Sequence, residues 1–208
     1  MSTATLRSTM TPAVTPIESL LTRTSLAGSF MKPPAPNDEE LQLILGAAQR
    51  ASDHDRLRPW RFLIVRPQQY ELFYDRLAEA ATRVQGDPSR YERNRDKYRL
   101  VSRAPLLVVA AAKINTAAKV APIEQAFAAA GATQLVLNAA HALGYAAFLF
   151  SGAGVFDGPF KAGLGLTSDD HLIGFICLGT ANGPGKPGPS AKESIAAGLA
   201  STVSQWVP

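Results

Sequence analysis

The spacing of apolar positions changes along the chain, and each change predicts an element. Leu41, Ile44, Leu45 and Ala48 recur three or four residues apart, which is one face of a helix. Asn37 precedes them with Glu40 three residues on, the pattern in which each side chain bonds the other's backbone at a helix start. That helix is expected to run through about Arg50. Residues 60–66, Trp-Arg-Phe-Leu-Ile-Val-Arg, are aromatic and β-branched and predict a strand. Pro67 then opens a helix over 67–84, with Leu72, Leu77 and Ala80 among its apolar positions. Residues 104–114 form a continuous apolar run of strand length, expected as a central strand buried on both faces. An Ala-rich stretch over 121–144 predicts a long helix ended by Gly144. Two more strands are expected over 145–151 and 171–180. Upstream, Pro16 and Glu18 mark the first turn of a short helix over 16–24, followed by a Pro-rich loop over 28–37.

The predicted order is α-α-β-α-α-β-α-β-(short α)-β, which means a layered α/β or α+β domain. The 208 residues, 46% of them hydrophobic, suit one globular domain or one protomer of an intertwined dimer. Two features favour the dimer. From Ala126 to Ala142 small or apolar residues fall on most helix faces, and a helix of that kind is buried all round. The tail over 182–208 looks loop-like, yet it closes with Val203, Trp206 and Val207, which need a place to be buried. The first fifteen residues have no apolar core of a secretory signal. Their Ser/Thr-rich composition faintly resembles a transit peptide, and we expect an unstructured tail there, with the domain proper over 16–208. No apolar run is long enough to span a bilayer, so no membrane is expected. The lone Cys177 lies in an apolar run and cannot form an internal disulfide, so a reducing, cytoplasmic setting is the default.

Charge changes this picture little. The net charge is +4, and the densest basic run, 89–103, interleaves Arg90, Arg93, Arg95, Lys97, Arg99 and Arg103 with Glu92 and Asp96. Such mixing marks a solvated helix with local ion pairs, although it could also attract an anionic cofactor. No recognition module accompanies it, so nucleic acid is not expected as a partner. The glycine-rich stretches at 151–158 and 163–166 fit neither a dinucleotide nor a Walker pattern. His54, His141 and His171 lack metal-ligand spacing, and no G-x-S-x-G elbow occurs. Two polar clusters remain. Arg23 and Ser25 would suit a phosphate, or Arg23 could simply answer a helix C-terminus. The loop over 51–58 holds Asp53, His54, Asp55, Arg56 and Arg58. It could edge a flat polar ring, or be a solvated turn with an Asp-Arg pair.

Taken in order, these segments resemble the FMN-dependent nitroreductase family. The resemblance begins in Glu-Ser-Leu-Leu-Thr-Arg-Thr-Ser at 18–25. It continues through 35–65, where the loop before Pro59-Trp60 carries the Asp-His pair of a short bacterial subgroup. It extends to Glu124-Gln125 in the long helix and to Gly-Phe-Ile-Cys-Leu-Gly-Thr at 174–180. It implies an α+β fold with a mixed, mainly antiparallel central sheet flanked by helices. It also implies an intertwined homodimer with FMN at the subunit seam and residues 182–208 as an arm reaching the partner. By position, Arg23, Thr24 and Ser25 match the phosphate-binding segment. Arg50 and His54 match positions that contact the flavin, with Arg58 a further donor at its edge. Leu149, Phe150 and Ser151 match the segment that reaches the flavin from the other chain.

The sequence departs from the family pattern in three places. Arg-Thr-Ser stands at 23–25 for Arg-Arg-Ser, Leu-Phe-Ser at 149–151 for the subgroup's Trp-Arg-Ser, and Ser52 for a proline. Two cations are lost, so weaker FMN binding is expected unless Lys186 or Lys192 compensates. The implied activity is ping-pong hydride transfer from NAD(P)H through FMN to a nitroaromatic or quinone-like acceptor. No side chain need be an acid or base in it. A protein that binds flavin or another planar ligand without turnover is a rival. So is another reductive reaction on the same fold, such as dehalogenation or enone reduction, and so is flavin breakdown.

Overall fold

The computed structural model describes residues 15–183 and 191–206. The chain forms two compact units, one over Thr24–Pro187 and one from the chain ends. The larger unit is built around β3 (Leu106–Ala112), which is buried along its whole length, as its continuous apolar run predicts. A strand so placed must pair on both edges, because no water reaches its backbone groups. β2 (Trp60–Val65) and β5 (His171–Ala181) flank it, and both pairings are antiparallel. β4 (Ala146–Phe150) and the two-residue β1 (Met31–Lys32) pair with β5, also antiparallel. Among the described residues every pairing of the five-stranded sheet is antiparallel, with none of the parallel pairing that a mixed sheet would have.

Side-chain alternation on β3 divides the core. Leu107, Val109 and Ala111 join Phe175 and Cys177 of β5 in one cluster. Covering that face are Phe73, Leu77 and Ala81 of α3 (Tyr70–Gln85), Tyr98 of α4 (Tyr91–Val101) and Phe160 of α6 (Gly158–Gly163). Leu106, Val108 and Ala110 face the other way. They meet Leu41 and Ile44 of α2 (Asp38–Gly46) and Ala132, Val136 and Ala140 of α5 (Pro122–Ala142). Burial holds the Cys177 thiol inert, its pKa pushed up to about 12. Where β3 and β5 slip register between Ala110 and Ala111, Gly174 sits at φ 156°. A Cβ there would come 2.5 Å from the Phe150 carbonyl oxygen of β4, so only glycine lets β4 approach β5 at this point.

Most expected elements are present, with instructive shifts. Asn37 and Glu40 close the capping box at 2.9 Å in both directions. The helix they start ends at Gly46, and a tighter 3-10 turn, Ala47–Arg50, replaces its last part. Pro67 opens a 3-10 turn and α3 itself begins at Tyr70; Leu72 lies exposed on it rather than in the core. The Pro-rich loop contains β1. The loop-like tail contains α7 (Ala191–Thr202), because the Pro and Gly before it masked a run of good helix formers. α1 (Pro16–Thr22) is shorter than expected and starts from a box between Thr15 and Glu18. The expected N-terminal tail lies outside the described residues except for Thr15, as do Lys186, Val207 and the side chain of Lys192. α5 is not buried all round: Ile123, Phe127, Ala130 and Gln134 form an exposed stripe, with Phe127 67% exposed. The basic run becomes α4 and its flanks, and three of its six cations meet acids among the described residues. Arg90 pairs with Asp87 at 3.1 Å, Arg95 with Asp75, and Arg99 with Glu71.

One ion pair fastens α3 to α6. Asp157 is only 5% exposed, caps α6 by accepting from the Phe160 N–H at 2.7 Å, and takes two bonds from Arg83 at 2.9 and 3.0 Å. The Arg83 guanidinium holds the Asp157 carboxyl below the usual carboxylate range. Asp157→Ala should lower unfolding stability by about 2 kcal/mol, as lost cap and lost pair, with Arg83 partly screened by water. The pair's contribution is complete above the ordinary value of about 3.9 and fades as pH falls through the lower folded value. Denaturant titrations should therefore show the gap between wild type and variant shrinking in strong acid. A gap independent of pH would contradict the assignment.

Candidate functional site

The start of α5 sets the geometry. Gln125 is fully buried and ties down the loop before it. Its Oε1 accepts the Asn115 N–H at 2.8 Å, and its Nε2 donates to the carbonyls of Val120 and Asn115 at 2.9 and 3.1 Å. Glu124, one residue earlier, consequently points away from the core. It accepts from His54 Nδ1 at 2.9 Å.

His54 comes from the loop that leads into β2. There Asp53 accepts the Arg58 N–H at 2.6 Å, and Pro59, buried, accepts the Lys113 N–H at 2.6 Å, extending the β2–β3 pairing into the loop. Asp55, Arg56 and Arg58 all hold positive φ, at 58°, 54° and 49°. Three such residues without glycine are costly, on the order of 1 kcal/mol each, and persist only where the surroundings fix them. Here the Asp53 carboxylate and the sheet do so. Trp60 packs beneath the loop against the α2–α5 side of the core.

Between this loop and α5 lies an open cavity of about 560 Å³. Arg50, Ser52, Asp53, His54 and Glu124 give it a polar rim. Ala51, Phe127, Ala128, Gly131 and Leu135 give it an apolar floor. Residues 124, 127, 128, 131 and 135 fall on one helical face. The hydrogen bond to Glu124 raises the His54 pKa above its ordinary value, and the charge of Asp55 adds to this. Nδ1 meets Glu124 and Nε2 lies 3.9 Å from the Asp55 carboxylate, so both acids favour the protonated ring, the form in which both nitrogens donate. Such an open slot, with an apolar floor and a rim of mixed donors and acceptors, suits a ring system with polar edges.

The structure places Arg50 and His54 together at this rim. Arg58 lies in the same loop with its side chain unpartnered among the described residues, though it does not line the cavity. Arg23 follows α1 directly, and its Nη1 is buried without a partner among the described residues. Thr24 and Ser25 are exposed, and the next residue, Leu26, donates to Ala147 of β4 at 3.2 Å. Leu149 is half-buried against the α2–α5 side of the core. Phe150 is a core residue, its ring 5.1 Å from that of Phe175, so β4 offers only backbone there. Ser151 is exposed. None of these three lines the cavity of its own chain. Sequence reasoning missed Glu124, Phe127, Gly131 and Leu135 as wall residues. Their helical spacing was visible, but not which loop they would face. Among the described residues no three His, Cys, Asp or Glu side chains converge to hold a metal, and no helix is long and apolar enough to cross a membrane.

Comparison with known proteins adds the context. The profile of the Nitroreductase family matches residues 21–180. An Escherichia coli K12 protein named "Putative NAD(P)H nitroreductase YdjA" is 32% identical over 164 residues, 79% of this chain and 87% of its own. A Haemophilus influenzae protein with the same general name is 34% identical over 71% of this chain and 79% of its own. In fold, the chain is similar to a nitroreductase with bound FMN from Bacteroides fragilis. The TM-score is 0.68 at 19% identity, covering 92% of this chain and 98% of that one.

The His54–Glu124 pair can be tested directly. In an NMR titration of the imidazole, His54 should stay protonated above the pH at which a free histidine titrates. Glu124→Gln should bring the midpoint down towards about 6.5. A midpoint unmoved by the substitution would separate the two residues.

Proposed function

Because the chain belongs to the Nitroreductase family, we propose that it is an FMN-dependent NAD(P)H oxidoreductase, reducing nitroaromatic or quinone-like acceptors as a homodimer. The observation that carries this is the half-built cavity. Its polar rim is complete in one chain, while its floor runs through Phe127 and Gly131 onto the uncovered stripe of α5. A second copy laid on that stripe would close the cavity and bury the stripe together. Ile123 and Phe127 together make an apolar surface of the kind that marks a subunit interface. Trp206, 85% exposed beyond α7, suits an arm that finds its burial on the partner.

The residues present fit FMN. The orphaned Arg23 Nη1 is a buried cationic donor awaiting an acceptor, which a phosphate supplies. Ser25 adds a hydroxyl beside it in sequence. When bound, FMN supplies the hydride chemistry between NAD(P)H and the acceptor. This chain's own residues do the positioning. His54, whose protonated form Glu124 favours, would supply a donor at the rim for negative charge on the reduced ring. Arg50 adds a second positive group at the rim. The apolar floor of Ala128, Gly131 and Leu135 would seat one face of the ring, and the open side would leave the other to flat acceptors.

Purified protein should be yellow, bleached by NAD(P)H and recoloured by a nitroarene. A yellow protein that NAD(P)H never bleaches would make it a flavin binder without turnover. Arg23→Ala should weaken FMN binding about 10- to 100-fold through the lost charge-assisted contact; an unchanged FMN titration would remove Arg23 from the site. Ile123→Glu should yield monomers in sedimentation and release the flavin. Flavin retained by monomers would show that the seam is not the site.

A further inference from the structure

A second cavity, of about 680 Å³, lies away from this site, between β1, the start of α3 and the segment after α4. Its apolar walls are Met31, Pro33, Pro67, Pro105 and the rings of Tyr70 and Tyr74. Those rings stand 5.6 Å apart, and both hydroxyls are already spent: Tyr70 donates to the Ala104 carbonyl and Tyr74 to the Ser102 carbonyl, each at 3.1 Å. What the tyrosines offer is ring surface.

The charge is one-sided. Lys32, Arg99 and Arg103 line the cavity, and Glu71 is the only acid among the lining residues. Glu71 is taken by Arg99 Nη2, with Arg95 3.7 Å away. That leaves Lys32 and Arg103 without a partner among the described residues, and the Nε of Arg99 buried and unmet. Other cations are also without an acid, but these two share one cavity with a buried, unmet guanidinium nitrogen. In the same basic run Arg90 and Arg95 are paired, whereas Arg93 and Lys97 meet no acid among the described residues. Arg76 and Arg83, beside the comparable cavity of about 670 Å³ between β2, α3 and α6, meet Glu79 and Asp157. Unmatched cations concentrated over ring and proline surfaces form the two halves of a site for an organic anion. Two unmatched charges with a third cation behind them call for a dianion; a monocarboxylate would leave one unmet.

We propose that this cavity binds a small aromatic phosphate monoester, its phosphate between Lys32 and Arg103 with Arg99 behind, its ring on Tyr70 and the prolines. This assignment stands apart from the redox reading.

Isothermal titration of the full-length, FMN-loaded protein with phenyl phosphate tests it, with inorganic phosphate and benzoate as comparisons. Phenyl phosphate should saturate one site per chain, and both comparison ions should bind more weakly. The double substitution Lys32→Ala and Arg103→Ala should weaken phenyl phosphate at least about tenfold, leaving the melting temperature and bound flavin unchanged. Arg23→Ala should leave phenyl phosphate binding intact. The proposal is overturned by absence of saturable binding, or by binding that the double variant does not alter. It is also overturned if Arg23→Ala abolishes binding, which would place the probe at the flavin phosphate site, or if inorganic phosphate binds as well as the ester.

Discussion

β3 is buried on both faces, and much of the rest of the molecule follows from satisfying it. Its peptide groups must be paired by strands on each side, which brings β2 and β5 to its edges. Its side chains alternate between two apolar layers, which calls for helices above and below. The loop before β2 is then drawn to the same end of the sheet as the loop after β3. Lys113 donates to Pro59 there, and the buried Gln125 amide pins the first turn of α5 to residues 115 and 120. His54 and Glu124 meet because two strands pair; their own attraction, between exposed groups, would not hold the loops.

The same packing leaves a debt of apolar surface. α5 gives one face to the sheet and keeps Ile123 and Phe127 in water. At roughly 25 cal/mol per Å² of apolar area removed from water, covering that stripe is a substantial driving force for association. In the proposed dimer the same contact closes the cavity, so cofactor retention and association become one equilibrium. Anything that binds only the assembled form then stabilises it by mass action. The positive-φ loop fits this account, since its shape is set in advance and need not be ordered when the ring arrives.

The sheet and its helices were legible in the residues because burial leaves strong periodic marks. The unbroken run at 104–114, the 3-4 spacing at 41–48 and the Asn37–Glu40 pair each mapped onto an element. Local composition hid others. Pro and Gly over 184–189 obscured the helix formers of α7, and Met31-Lys32 is too short to carry a pattern. In the site, His54 and Arg50 were legible through the resemblance of their loop to a known family. Glu124 was visible only as part of that same resemblance, and Phe127 and Leu135 only as apolar helix residues. Which helix face meets which loop is a tertiary fact, fixed by Gln125 and Pro59 and not written in either segment alone. Phe150 shows the converse: its motif position pointed to the cofactor, while its alternation on β4 sends the ring into the core.

The central claim is that two copies of this chain hold the flavin between them. Sedimentation velocity of the purified protein, followed simultaneously in the ultraviolet and at the flavin's visible band, tests this most directly. The account predicts one boundary at twice the chain mass of 22.1 kDa, carrying both signals together. A boundary at the single-chain mass that carries the visible band, or a dimer that never acquires it with FMN in excess, would contradict it.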